Sequence, residues 1–147
     1  MRLSTRGRYG IRALVDLAAR WGQGPVQLKE IAMSQDVSLQ YLEHLVKPLI
    51  TAGLVRSMRG SRGGVWLARH PSEIKVGEIV GALVGSVAPV ECVDDPGICK
   101  RAQHCVMHDI WGDVKKAIDG VLDSTTLEDL VIRQKAKEQD KEAMYYI

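Results

Sequence analysis

The chain has 147 residues, of which 46% are hydrophobic and 26% charged, with a net charge of +2. This is the length of one domain, or of one small domain with an appendage, and the composition of a folded globular chain; it excludes a mainly disordered protein, and three cysteines are too few for a disulfide scaffold. The most apolar stretch, 79–90, is interrupted by Gly81, Gly85, Ser86 and Pro89 and falls short of the ~20 residues of a spanning helix, so no membrane segment is expected. The first twenty residues hold five arginines but also Asp16, and they lack a cleavage pattern, which reads as mature, cytoplasmic protein. The charge is unevenly spread: residues 1–75 carry +7 and residues 76–147 carry −5. A basic first half points to an anionic partner, with nucleic acid foremost and a merely solvated face as the alternative.

A first helix is expected from Ser4 or Thr5, with Tyr9, Leu14, Leu17, Ala18 and Trp21 at helical period and Gly22–Pro25 ending it. A second covers about Leu28 to Gln35. Asp36 stands where the chain must reverse, and Asp tolerates positive φ better than most residues. Ser38 then caps a third helix running to about Ala52, with Gly53 as its stop. Its apolar face is Leu39, Leu42, Leu45, Val46 and Leu49. Gln40, Glu43, His44 and Lys47 fall at i, i+3, i+4 and i+7 on the other face, as a groove-reading helix requires. Pro48 removes the bond to the His44 carbonyl and is expected to kink the helix there.

Leu54–Met58, a turn rich in glycine and arginine (59–64) and Val65–Leu67 read as a β-hairpin. Three helices and a basic hairpin in this order make a winged helix-turn-helix. A fourth helix is expected over Ile74–Val84 and an irregular segment over 86–104. A long amphipathic helix follows, from about Val106 to Leu122. Its stripe of Met107, Ile110, Trp111, Val114, Ile118, Val121 and Leu122 is more than a small winged domain can cover, and is expected to pack against a second copy. Thr125 and Glu128 suggest a capping box for a short last helix through Val131, followed by a charged tail that frays. The expected fold class is therefore mainly α with a small β-hairpin wing. Residues 1–75 form the winged domain, 76–132 a metal-binding loop with dimerisation helices, and 133–147 the tail.

All three cysteines lie within 14 residues. Six residues separate Cys92 from Cys99, five separate Cys99 from Cys105, and His108 follows three later with His104 nearby. Incidental thiols, or one disulfide with a cysteine left over, are the ordinary explanations. A metal centre is the sharper one, because thiolates prefer soft or borderline metals and a loop can wrap one. Three Cys and one His suit zinc, whose sites usually include a tight Cys-x-x-Cys absent here; the wider spacing suits an iron–sulfur cluster. No catalytic set is visible, and a small electron carrier would leave the basic half without a role.

Four segments carry a resemblance: the opening Met–Arg–Leu–Ser–Thr–Arg–Gly–Arg–Tyr–Gly, residues 37–43 (Val–Ser–Leu–Gln–Tyr–Leu–Glu), the wing 55–64, and Ile–Lys–Val–Gly–Glu–Ile at 74–79. From residue 1 to about 132 the chain resembles the IscR-type bacterial winged-helix regulators. The resemblance implies a homodimeric transcription factor that controls genes for iron–sulfur cluster assembly. It implies a 2Fe–2S cluster on Cys92, Cys99, Cys105 and His108, base contacts from Gln40 and Glu43, and a minor-groove contact from Arg59. The gap before Cys99 is one residue longer than in the best-known branch, and Gln40 stands where a smaller Ser is common. Arg8 replaces the Asp typical of a nitric-oxide-sensing branch with a 4Fe–4S cluster. Three grouped cysteines argue against a branch that senses cysteine supply without a cluster.

On this reading the partner is double-stranded DNA with a pseudo-palindromic operator. Arg2, Arg6, Arg56 and Arg62 are candidate phosphate contacts. Ser38, Gln40, Tyr41, Glu43, His44 and Lys47 lie on or beside the reading surface, with Arg59 at the wing tip. A redox or nitric-oxide sensor with another cluster, and a winged-helix protein with structural zinc, are the competing readings.

Overall fold

The computed structural model describes residues 2–146. Helix α1 (Thr5–Ala19) begins at Ser4, whose hydroxyl accepts from the Gly7 N–H at 3.2 Å. Helix α2 (Leu28–Gln35) ends at Asp36, which adopts φ 54°, ψ 50°. That left-handed residue is the expected reversal, and it lets the Val37 N–H return to the Ala32 carbonyl at 3.0 Å. Helix α3 (Leu39–Thr51) starts on Ser38, whose hydroxyl accepts from the Tyr41 N–H at 3.1 Å. The helix runs on through Pro48 to Thr51, close to the expected end at Ala52.

Strands β1 (Val55–Met58) and β2 (Gly64–Leu67) pair antiparallel, with Val55 opposite Leu67 and Met58 opposite Gly64. Gly63 sits so close beneath the turn that any side chain there would run into the Met58 carbonyl. Val65 also exchanges two backbone hydrogen bonds with Val26, at 2.9 and 2.8 Å. The wing is thereby tied to the connection between α1 and α2.

Helix α4 spans Val76–Leu83, two residues later than expected. Ile74 and Lys75 are extended because they pair with a segment far along the chain: the Val76 N–H donates to the Thr125 carbonyl and the Leu127 N–H to the Ile74 carbonyl, both at 2.9 Å. The segment expected to be irregular holds a single helical turn, α5 (Glu91–Asp94), and 3₁₀ turns at Pro96–Ile98 and Ala102–His104. Helix α6 (Val106–Ser124) follows, with Cys105 as its N-cap.

The last helix differs most from expectation. Its cap is Thr126 with Asp129, one residue beyond Thr125 and Glu128. The Thr126 hydroxyl accepts from the Asp129 N–H at 3.0 Å, and the Asp129 carboxylate accepts from the Thr126 N–H at 2.9 Å. Thr125 is used otherwise, its hydroxyl donating to the Val121 carbonyl and its own carbonyl serving the bridge. Helix α7 then continues to Tyr145 rather than stopping near Val131, so the charged segment is helical.

The core gathers Leu14 and Leu17 of α1, Leu42, Leu45 and Leu49 of α3, Val55, Val65 and Leu67 of the wing, and Ile79 and Leu83 of α4. Leu127 and Val131 of α7 belong to the same cluster, with Leu127 fully buried. By contrast α6 buries none of its residues, and Val121 is 66% exposed. No helix is long and apolar enough to cross a membrane among the described residues.

Two outcomes follow. Leu127→Ala removes a fully buried side chain from the common core and should cost about 2–5 kcal/mol in urea unfolding; a loss below about 0.5 kcal/mol would show α7 to be an appendage. The Asp129 carboxyl is held below the ordinary carboxylate range, first by the Thr126 backbone N–H and then by the Thr126 hydroxyl. Its contribution is present above the unfolded pKa and is lost as pH falls through the lower folded value. The urea midpoint of Asp129→Asn should therefore depend less on pH below about 4 than that of the parent.

Candidate nucleic-acid interface and metal-ligand loop

The candidate reading surface is the exposed face of α3. Leu42, Leu45, Val46 and Leu49 bury one face, which leaves Gln40, Glu43, His44 and Lys47 exposed on the other. The short reversal through Asp36 fixes how α3 leaves α2, and the Ser38 cap fixes where it begins. Ser38 is exposed, but its oxygen is already engaged by the Tyr41 N–H. Tyr41 differs from its neighbours: it is half-buried, and its ring meets the Tyr9 ring edge-on at 6.1 Å and 86°. Arg6, Tyr41, His44 and Leu45 line an open hollow of about 400 Å³ beside the first turns of α1 and α3.

Arg59 and Arg62 lie in the exposed turn of the wing, and Arg56 points outward from β1 opposite Trp66. Arg2 is exposed ahead of α1. The structure thus presents one exposed polar helix face and one exposed basic hairpin tip on a single core. Two residues of this architecture carry no obvious mark in the sequence. Arg12 donates from Nε to Gln35 Oε1 at 3.1 Å, and from Nη2 to the Gln35 carbonyl at 3.4 Å. Only a long-range contact reveals such a pair; periodicity within α1 marks Arg12 simply as exposed.

The cysteines are all free thiols, each half-buried. Cys92 is on α5, Cys99 closes the first 3₁₀ turn, and Cys105 precedes α6. Cys105 is therefore not yet helical, although the His108 N–H donates to its carbonyl at 3.0 Å. His108 projects from the first turn of α6 beside Val93, Asp94 and Asp109. Its Nδ1 is the buried side-chain nitrogen or oxygen that finds no hydrogen-bond partner among the described residues. An orphaned buried imidazole nitrogen is costly unless something binds it. His104 is exposed in the second 3₁₀ turn.

Among the described residues no three His, Cys, Asp or Glu side chains are gathered as a ready metal site. The four sequence-predicted ligands are close along the chain but are not assembled around one point. Their chemistry nonetheless fits a soft-metal group: three unpaired thiols and one imidazole lacking a partner.

A helix-turn-helix whose second helix presents a polar stripe, joined to a basic hairpin wing, defines a winged-helix DNA-binding protein. The chain matches the Rrf2 family, described as iron-dependent transcriptional regulators, over residues 3–133, and it belongs to that family. It is 45% identical over 130 residues to the HTH-type transcriptional regulator CymR of Bacillus subtilis, covering 88% of this chain and 89% of that one. The solved structure of that protein, titled the global cysteine regulator, matches with a TM-score of 0.73 over 90% of this chain and 98% of the other. IscR of Serratia proteamaculans is 40% identical over 134 residues, covering 91% of this chain and 81% of that one. The structure of T. potens IscR matches with a TM-score of 0.74 and 43% identity, covering 91% and 88%. The protein is thus a transcriptional regulator of a non-enzymatic, DNA-binding family.

Proposed function

We propose that the protein is a homodimeric repressor or activator whose DNA binding follows the state of a 2Fe–2S cluster, and that its targets include genes for iron–sulfur cluster assembly in the cytoplasm. The observation that carries the reading is the donor set around the start of α6: free thiols at Cys92, Cys99 and Cys105, and a His108 Nδ1 without a partner. These four residues would hold the group, and bound there it would supply an oxidation-sensitive centre. The loop carrying Cys92 and Cys99 consists of single turns, so drawing the donors together reshapes short elements and leaves the winged core intact. On this division residues 1–75 read DNA, 76–132 sense and dimerise, and 133–147 form the tail, of which 133–145 continue α7.

The exposed stripe on α6, with Met107, Ile110 and Val121 uncovered, supports dimerisation through a second copy. A two-fold dimer sets two α3 helices about one DNA turn apart, or a multiple of it, on a pseudo-palindromic operator. Glu43 accepts from a cytosine amino group and Gln40 meets a purine edge, with Ser38, His44 and Lys47 alongside and Tyr41 seated against α1 beneath them. Arg59 enters a narrow minor groove, while Arg2, Arg6, Arg56 and Arg62 meet phosphates.

A second reading has its own support. The four donors are not assembled, and the relatives include the protein titled a global cysteine regulator. On that reading the thiols bind no cluster. Ultraviolet–visible and Mössbauer spectra of anaerobically purified protein separate the cases: a brown 2Fe–2S protein supports the proposal, a 4Fe–4S spectrum supports a nitric-oxide sensor, and a colourless protein with bound zinc means structural metal. A colourless, metal-free protein supports the second reading. His108→Cys should keep the colour, His108→Ala should lose it while the protein stays folded, and His104→Ala should leave it unchanged. A colourless His104 variant beside a brown His108 variant would reassign the fourth ligand.

Arg59→Ala should weaken binding to a selected operator by about 1–3 kcal/mol at fixed salt. Glu43→Ala should instead relax sequence preference, because a carboxylate near phosphates is tolerated for rejecting wrong bases. Equal weakening on every duplex would make Glu43 structural.

A further inference from the structure

Tyr9 and Arg12 lie one turn apart on α1, and each grips a different arm of the helix-turn-helix. The Tyr9 ring takes the Tyr41 ring edge-on at 6.1 Å, and Tyr41 belongs to the first turn of α3. The Arg12 guanidinium reaches the other way. It binds the Gln35 side chain and the Gln35 carbonyl, the last carbonyl of α2 before the reversal at Asp36. A cation at this position also favours the negative end of the α2 dipole. The two grips are joined, because the Arg12 guanidinium carbon stands 5.1 Å from the centre of the Tyr9 ring. Behind them Gln35 Nε2 donates to Asp16 Oδ2 at 3.2 Å, and the other Asp16 oxygen accepts from Arg20 Nε at 2.9 Å. One polar and aromatic chain therefore runs from α1 to the end of α2 and the start of α3.

We infer that Tyr9 and Arg12 are positioning residues that set the angle between α2 and the recognition helix α3, with Tyr41 acting as the anchor of that helix and not as a reader of bases. The inference rests on the assignment of α3 as the DNA-reading helix and adds what holds it in register. The geometry separates the roles. Tyr41 is half-buried against α1, whereas Gln40, Glu43 and His44 around it are exposed. A tilt of the Tyr41 ring carries Gln40 and Glu43 with it, since all three share the first turns of one helix. Base edges are read within tenths of an ångström, so a loosened anchor lowers specific affinity and leaves phosphate attraction unchanged.

The test uses the full-length protein and three substitutions. Tyr9→Phe keeps the ring, Tyr9→Leu keeps an apolar side chain without it, and Arg12→Met removes an exposed guanidinium that the core does not need. Backbone amide spectra of the free protein report α3 directly. Binding is measured at fixed salt on a duplex that the parent protein selects from a random library, and on an unrelated duplex. The amides of residues 39–44 should shift in Tyr9→Leu and Arg12→Met and stay in place in Tyr9→Phe. Affinity for the selected duplex should fall in the first two by up to about tenfold, the scale of an aromatic pair, with the unrelated duplex unaffected. Amides that stay in place in both Tyr9→Leu and Arg12→Met would overturn the inference. So would a Tyr9→Phe variant as impaired as Tyr9→Leu, or an equal loss on both duplexes. If the parent selects no duplex while the amides shift as described, the DNA-reading assignment fails and the positioning role stands.

Discussion

The structure depends on two backbone hydrogen bonds between distant segments, from the Val76 N–H to the Thr125 carbonyl and from the Leu127 N–H to the Ile74 carbonyl. They join the start of α4 to the junction of α6 and α7. Together with the packing of α6 on α4 they fix where α6 leaves the winged core, and α6 itself buries none of its residues. With them, Leu127 enters the core and α7 lies against α1. Gly77 lies at the join, with the Asp123 carboxylate against its Cα, so a side chain there would require the Asp123 side chain to turn away.

This join gives the two ends of the protein a common support. The cysteine-bearing loop leads into α6 at Cys105, α6 ends at the join, and α7 returns from it onto α1. Helix α1 in turn contacts α2, α3 and α4. The cysteine-bearing loop and α3 are therefore joined through a continuous series of packed helices. The acidic second half and basic first half are halves of the sequence only; in the fold α7 places its residues beside the first helix.

The winged core was legible because local chemistry determined it. Ser4, Ser38 and Asp36 are residues whose side chain or backbone tolerance suits one position, and each occupies that position. The hairpin was legible for the same reason, through the glycines of its turn. The last helix was misread by one residue because Thr125 and Thr126 are equivalent as caps in sequence, and only the long-range bridge assigns Thr125 to pairing and Thr126 to capping. The two-residue delay of α4 has the same cause. The charged stretch after Val131 reads as a fraying tail because its composition offers no buried stripe, yet it continues a helix already nucleated and capped on the core. The donor residues were legible as a cluster of types. Their arrangement was not, since ligand geometry in a loop of single turns is not encoded by spacing.

The Val26–Val65 bridge makes the hairpin part of a small three-stranded arrangement whose third member is the connection between α1 and α2. The wing is therefore not a free arm. Its root is held on one side by α3, against which β1 packs, and on the other by the 20–27 connection. A hairpin fixed on both sides behaves as a strut, so the exposed turn at 59–62 is carried at a set height above the helices beneath it.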